Sequence, residues 1–383
     1  MLQSHQNDKL GEGSYGCVLR GTIGKSKKDI NNRNYHENLQ EVGQVTKLML
    51  DKNSFSKEVQ NTRIANRIDG GRYSIKIMAH SVLMQEDIKQ IIENNQRIYT
   101  KINQCKNISD SINSINSLYL IVYKDEGRTV MSINVPAEHM ISLCYNLYEG
   151  LKLYESKRFL HYDVKYDNIL YVENEDKKGK LVFIDFGLSS YTRALDLSYV
   201  QYFLSSYQNY FLYEPPELIA YAVCRYSQLD KEQMFELFQK IYEHNLLSKV
   251  SITDSYQTMI INNIYKGSKE LYMNALRTLF NNVYNLSSSQ SSLDQYIRRQ
   301  IYYVDMYKLS MTMLDIFKMH NYLHQNPKLV SNFYMKIVFK ALAINPAERL
   351  PIKELCSIYN AFLSNPDLKD ATYIAKSTSL ARL

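Results

Sequence analysis

Counting from Asp163, Lys165 and Asn168 stand third and sixth in the short stretch His161-Tyr162-Asp163-Val164-Lys165-Tyr166-Asp167-Asn168-Ile169-Leu170. A carboxylate can accept the proton of an attacking hydroxyl, an ammonium offsets charge on a moving phosphate, and an amide oxygen helps to hold a divalent metal. Seventeen residues after Asn168 comes Ile184-Asp185-Phe186-Gly187, a second carboxylate at the end of an apolar run. These residue types at this spacing suit phosphoryl transfer.

Such groups need rigid elements behind them. Residues 137–159 carry Met140, Leu143, Cys144, Leu147, Leu151 and Tyr154 at helical spacing, which predicts a long helix with one core face leading into His161. Two short apolar runs, 169–172 and 181–184, are joined by the polar turn from Glu173 to Lys180. A hairpin there would bring Asp185 back beside Asn168, so that both could share metal.

Upstream, Leu10-Gly11-Glu12-Gly13-Ser14-Tyr15-Gly16-Cys17-Val18-Leu19 has the pattern G-x-G-x-x-G-x-V. Glycines let a strand-turn-strand pass close over phosphates and leave backbone N–H groups to bind them. Its place near residue 1 predicts a fold that begins at once, without an N-terminal regulatory domain. Residues 42–50 read as a strand with Lys47 inside it, and a buried lysine needs a counter-charge. Residues 54–65 read as a helix capped by Ser54, and Glu58 on it is the candidate partner. Residues 118–123 form the next strand, and Lys124 to Gly127 connect it to the remainder of the chain. Residues 21–40 read as an exposed basic insertion, and 85–117 as a polar, Asn-rich helix-and-loop region.

At 383 residues, with 45% hydrophobic and 22% charged residues, the chain is long enough for two lobes with a sizeable core, or one domain with a large insertion, in an ordinary soluble protein. The 33 tyrosines with no tryptophan, beside many Asn, Ile and Lys, follow AT-rich codons and point to genome bias before function. A net charge of +7 suits an anionic nucleotide or acidic partner and does not call for nucleic acid. The five cysteines are scattered and odd in number, which argues against a disulfide framework and for a reducing compartment. The polar N-terminus lacks a secretory signal and no run has the length of a membrane span, so the expectation is a soluble intracellular protein without membrane contact.

The loop around Asp163 and the Asp-Phe-Gly at 185–187 resemble the catalytic and metal-binding loops of eukaryotic-type protein kinases. The resemblance continues in order through Tyr213-Glu214-Pro215-Pro216-Glu217-Leu218, the helix-like run Val304-Asp305-Met306-Tyr307-Lys308-Leu309, and Asn345-Pro346-Ala347-Glu348-Arg349-Leu350. In that family the Glu at 217 pairs with the buried Arg at 349, and the Asp at 305 braces the catalytic loop. The resemblance covers about residues 8–365 and implies an α+β, bilobal kinase-like fold. A small β-rich N-lobe would occupy 1–127 and a larger helical C-lobe 128–370, with a loose tail at 371–383. The long gap from Glu217 to Asp305 implies a helical insertion at about 222–300, broken at Ser287–Ser292. The insertion pattern and composition look most like the protein kinases of large (giant) DNA viruses, which would put the protein in host cytoplasm or virion.

By resemblance the chain is an ATP-dependent serine/threonine protein kinase acting on a protein substrate, with ATP and Mg²⁺ or Mn²⁺ as cofactors and an oligomeric state left open. Asp163 would accept the substrate proton, Lys165 would touch the γ-phosphate, and Asn168 and Asp185 would hold metal. Lys47, fixed by Glu58, would position the α- and β-phosphates, while Leu10, Gly11, Gly13, Gly16, Val18 and Leu170 would surround the nucleotide at the hinge 124–127. Tyr162 stands where many kinases have the Arg that grips a phosphorylated activation segment, here 188–214. That implies activity independent of phosphorylation at Ser189, Ser190, Thr192, Ser205, Ser206 or Tyr207. Tyr210 replaces the Thr usual in Ser/Thr kinases. A pseudokinase scaffold or a small-molecule kinase are the alternatives.

Overall fold

The computed structural model describes residues 9–13, 16–21, 44–94, 96–124, 127–173, 179–201, 204, 213–247 and 256–364. The expectations for the basic stretch 21–40 beyond Gly21, for Ser14 and Tyr15, Val42 and Gly43, Asp125 and Glu126, Ser205 to Tyr207, Tyr210 and the tail 371–383 lie outside these residues. The chain divides into two units, Met1–Gly127 with Ile184–Ser189, and Arg128–Phe183 with Ser190–Leu383.

The first unit is built on an antiparallel five-stranded sheet of β1 (Lys9–Gly13), β2 (Gly16–Arg20), β3 (Gln44–Met49), β4 (Ile77–Met84) and β5 (Ser117–Lys124), in the order β1-β2-β3-β5-β4. Five of the six β3 residues are buried, so the central strand is covered on both faces. Gly16 pairs with Gly13 where the hairpin turns. A Cβ on Gly16 would lie 2.5 Å from the Leu48 carbonyl oxygen, so no side chain fits where β2 crosses β3.

Helix α1 (Lys52–Asp69) follows β3 directly and buries Phe55, Glu58, Val59 and Ile64. Its cap is Asp51, whose carboxylate accepts from the Ser54 N–H at 2.6 Å. Ser54 therefore lies inside the first turn instead of capping it, because the extended backbone needed at the cap falls at Asp51 (φ −92°, ψ 122°).

The stretch expected to be a polar helix-and-loop forms α2 (Gln85–Asn94), α3 (Gln96–Ile102) and α4 (Lys106–Ser109). Its isoleucines are the reason it packs. Ile88, Ile91, Ile98, Ile102, Ile108 and Ile112 bury together with Leu19, Leu48, Leu118 and Leu120. Inside the same core Cys17 of β2 and Cys105 form a disulfide that closes a separation of 88 residues. The scattered, odd cysteines argue against a disulfide framework and gave no sign of this single link; the sheet brings these two together across a sequence distance that spacing cannot reveal. The case for a reducing compartment loses that support. Cys144, Cys224 and Cys356 are free.

The second unit surrounds α5 (Ala137–Ser156) and a helix from Val304 to Met319. Small sheets join β7 (Phe159–Leu160) with β10 (Ser190–Tyr191), and β6 (Gly127–Thr129) with β8 (Ile169–Glu173) and β9 (Gly179–Phe183). The β8–β9 hairpin pairs Ile169 with Phe183 and Glu173 with Gly179. Between Pro216 and Gln300 run α6 (Pro216–Tyr226), α7 (Lys231–Asn245), α8 (Gln257–Ile264), α9 (Lys269–Leu286) and α10 (Gln290–Gln300). Phe238 of α7 stacks on Phe280 of α9 at 5.8 Å, so the region has its own aromatic core. The serine run at 287–292 contains the break between α9 and α10: α9 ends at Leu286, and Ser289 caps α10, which starts at Gln290. Then comes the helix Val304–Met319, labelled α11, buried from Val304 through Phe317. A helix buried on all sides belongs in a core, and the charged residues it carries there need partners. The chain ends in α12 (Tyr322–Gln325), α13 (Pro327–Lys336) and α14 (Ile352–Leu363).

Glu217 of α6 takes two hydrogen bonds from Arg349, at 2.7 and 2.8 Å, and both side chains are fully buried. Arg349 also donates to the Ala343 carbonyl at 2.8 Å and lies over the Tyr307 ring. Among the described residues no helix is long and apolar enough to cross a membrane.

Two outcomes test this architecture. Glu217→Ala leaves a buried guanidinium without its anion and should cost about 3–5 kcal/mol in chemical unfolding; a change under about 1 kcal/mol would contradict the pairing. Replacing Cys17 and Cys105 together by alanine should cost about 2–4 kcal/mol. Non-reducing peptide mapping of the wild type should recover the two cysteines in one linked peptide, and finding them unlinked would refute the crosslink.

Candidate active site

Lys47 sits mid-strand in β3, opposite Val18 of β2 on one side and Ile121 of β5 on the other. Its Nζ lies 2.9 and 2.7 Å from the two Glu58 oxygens and 3.3 Å from Asp185 Oδ1. Burial pulls the lysine pKa down, but the Asp185 and Glu58 carboxylates outweigh it and hold the pKa above the ordinary value. The ammonium stays charged and its position is fixed from two sides. Glu58 also accepts from the Tyr123 hydroxyl at 2.6 Å. Burial, with the Glu58 charge, pushes the Tyr123 phenol well up, so it remains a donor.

Asp185 adopts φ 60°, the left-handed region. Asn61, one helical turn beyond Glu58 on α1, donates to the Phe186 and Ser189 carbonyls at 3.1 and 2.6 Å and ties the segment after Asp185 to the helix. Gly11 and Gly13 lie in β1 and Gly16 and Val18 in β2, with Leu10 largely exposed on β1. This unit therefore assembles Lys47, Glu58 and Asp185 beside Val18, as the sequence led us to expect for the ion pair.

The second unit assembles the other set. The loop entering Asp163 is held by Asp305, near the start of α11, which accepts from the His161 and Tyr162 N–H groups, each at 2.7 Å. Tyr162 has φ 70°, uncommon for an aromatic residue, so the surrounding bonds must impose it. Lys308, one turn further along α11, donates to the Tyr162 carbonyl at 2.9 Å. The next residue is Asp163. Its Oδ2 accepts from Lys165 Nζ at 2.8 Å and from Asn168 Nδ2 at 2.7 Å, and Asn168 also reaches the Asp163 carbonyl at 2.8 Å. Among the described residues, Asp163 Oδ1 and Asn168 Oδ1 take no hydrogen bond. Leu170 follows in β8, half-buried opposite Val182.

The two proposed metal ligands, Asn168 and Asp185, belong to different units, and no group of three His, Cys, Asp or Glu side chains clusters among the described residues. Of the expected modification sites, Ser189 and Thr192 are buried and Ser190 lies in β10. Arg298 of α10 donates to the Thr192 and Leu195 carbonyls at 3.2 and 3.3 Å, so the expected insertion also holds this segment. Sequence reasoning passed over Tyr123, Asn61, Arg298 and Lys308. Only Asn61 left a trace, three positions beyond Glu58 and so on the same helix face.

A family model described as protein tyrosine and serine/threonine kinase matches residues 4–230, a stretch that contains every one of the nucleotide, metal and catalytic candidates. No curated protein sequence matches the chain. Among solved structures, a double mutant of the PknI kinase domain of Mycobacterium tuberculosis is 12% identical, with 92% of this chain and 93% of that one covered at a TM-score of 0.41. That likeness is too slight to transfer any residue's role. The family match spans more than half of the sequence, and the chain belongs to the protein tyrosine and serine/threonine kinase family.

Proposed function

We propose that the chain is an active, ATP-dependent serine/threonine protein kinase. The observation that carries this is Asp163, whose Oδ2 is occupied by Lys165 and Asn168 while Oδ1 takes no hydrogen bond among the described residues. In the reaction the substrate hydroxyl oxygen bonds to the γ-phosphorus, the bond from that phosphorus to the β–γ bridging oxygen breaks, and ADP leaves. Asp163 orients the hydroxyl and takes its proton, and Lys165 offsets charge on the moving phosphoryl group. Lys47, kept charged by Glu58, would hold the α- and β-phosphates, and the β1–β2 hairpin would offer its N–H groups to them.

Asn168 and Asp185 supply few, hard oxygen donors, which suits Mg²⁺ or Mn²⁺, ions that keep several waters and share phosphate oxygens. When bound, such a cation neutralises charge on the phosphates. Lys165, two places after Asp163, is the choice of Ser/Thr kinases and supports that specificity. The protein-kinase features at Glu217, Asp305 and Arg349 favour a protein acceptor over a small molecule. The narrower likeness to kinases of large DNA viruses rests on the Gly-Ser-Tyr-Gly-Cys-Val loop at 13–18, the Lys47-Leu48-Met49 strand, the Pro215-Pro216-Glu217 close and the AT-rich bias.

The direct test is labelled ATP with Mg²⁺ or Mn²⁺ and a mixed protein acceptor. Asp163→Asn should lower turnover by about 10²–10⁴-fold, and phosphoamino-acid analysis should find phosphoserine or phosphothreonine. Equal incorporation by wild type and variant would remove the catalytic reading. Since Tyr162 cannot grip a phosphate, turnover should not require phosphorylation of the 188–214 segment. Alanine at Ser190, Ser205 and Ser206 with phenylalanine at Tyr207 should leave kcat within about threefold, under about 1 kcal/mol of barrier; loss of turnover would contradict it.

A further inference from the structure

Tyr162 is buried, with its ring edge-on to Tyr199 at 4.9 Å, and its hydroxyl finds no hydrogen-bond partner among the described residues. Its backbone is in the left-handed region at φ 70°. That conformation costs about 1–3 kcal/mol for a residue other than glycine and persists only where neighbours enforce it. Both halves of the backbone around Tyr162 are held by α11. Asp305 accepts the N–H, and Lys308 donates to the carbonyl at 2.9 Å.

The carbonyl of Tyr162 and the N–H of Asp163 belong to one planar peptide. A bond to that carbonyl therefore sets the plane from which Asp163 departs. On the other edge of the same plane, the Asp163 N–H donates to His161 Nδ1 at 3.3 Å. Lys308 is thus two bonded steps from the group proposed to take the substrate proton.

Lys308 is itself buried, with 5% of its side chain exposed, and an ammonium there needs an anion. Glu214 supplies it. Glu214 Oε1 accepts from Lys308 Nζ, and the Glu214 side chain is 3% exposed. Lys308 Nζ also lies 4.8 Å from the Tyr162 ring centre, close enough for a cation–π contact. Glu214 immediately precedes Pro215-Pro216-Glu217, and its own N–H donates to Asn245 Oδ1 on α7 at 3.2 Å. The pair thus links the start of α6, the middle of α11 and the catalytic loop.

We infer that Lys308 is a positioning residue for Asp163, acting through the Tyr162 carbonyl, and that Glu214 is its built-in charge partner. The anion that secures the catalytic loop comes from the chain's own backbone neighbour of the Pro-Pro-Glu turn, with no added phosphate. This rests on the protein-kinase reading, and one set of variants separates the two.

Full-length wild type, Asp163→Asn, Lys308→Met, Lys308→Arg and the double variant Lys308→Met with Glu214→Leu are assayed with Mg²⁺-ATP and myelin basic protein, alongside thermal unfolding. Lys308→Met should lower kcat by at least about tenfold, 1.4 kcal/mol of barrier, with KM for ATP within about threefold. Lys308→Arg should recover part of that loss, because it keeps the charge and a donor. The double variant removes the uncompensated carboxylate as well, so its Tm should return toward wild type while kcat stays low. Where Lys308→Met does not fold, the double variant alone gives the answer. A double variant with wild-type kcat overturns the positioning role and leaves the kinase reading standing. A wild type no more active than Asp163→Asn overturns the kinase reading, and the positioning role with it.

Discussion

The second unit depends on a desolvated carboxylate. Asp305 is buried on α11, where burial pushes its carboxyl up and the nearby His161 and two backbone N–H donors pull it back. Such a group is costly unless its oxygens are satisfied, and here each oxygen takes one N–H from consecutive residues of the loop that enters Asp163. The loop cannot shift without orphaning that carboxylate. Since α11 is buried along nearly its whole length, the restraint passes directly from the core to Asp163.

Three buried ion pairs repeat this logic: Lys47–Glu58, Lys308–Glu214 and Arg349–Glu217. Buried pairs add little net stability compared with apolar residues of the same shape, because desolvation offsets the attraction. Losing one partner is nevertheless costly, because it leaves the other charge buried and uncompensated. The pairs stand behind the sheet lysine, the Asp163 loop and the Pro-Pro-Glu turn, and a phosphoryl-transfer enzyme needs fixed positions more than extra stability.

The first unit spends its surplus sequence differently. Three short helices carry a line of isoleucines onto the sheet, and the Cys17–Cys105 link joins them to the strand that follows Gly16. The glycine-rich hairpin is thereby backed by a core and a covalent tie, while Gly16 itself remains without a side chain against Leu48. The helices from Pro216 to Gln300 similarly combine a private aromatic core with a contact to function, through Arg298 and the carbonyls of Thr192 and Leu195.

The sequence by itself determined what is local. The Asp163-x-Lys165-x-x-Asn168 loop, the hairpin after it, the strand around Lys47 and the helix carrying Glu58 follow from spacing, periodicity and the need of a buried lysine for an anion. Even there the cap moved from Ser54 to Asp51, because capping depends on the backbone dihedrals of one residue. Tertiary structure decided whatever joins distant segments. Cys17 meets Cys105, Tyr123 reaches Glu58, and Lys308 finds both Glu214 and the Tyr162 carbonyl, none at a separation that any local pattern encodes. The Asn-rich stretch shows the same division: its polar residues hid a core face, visible only once a sheet stood beside its isoleucines. Local chemistry is written in neighbours, whereas the partner of a buried charge is chosen by the packing that buries it.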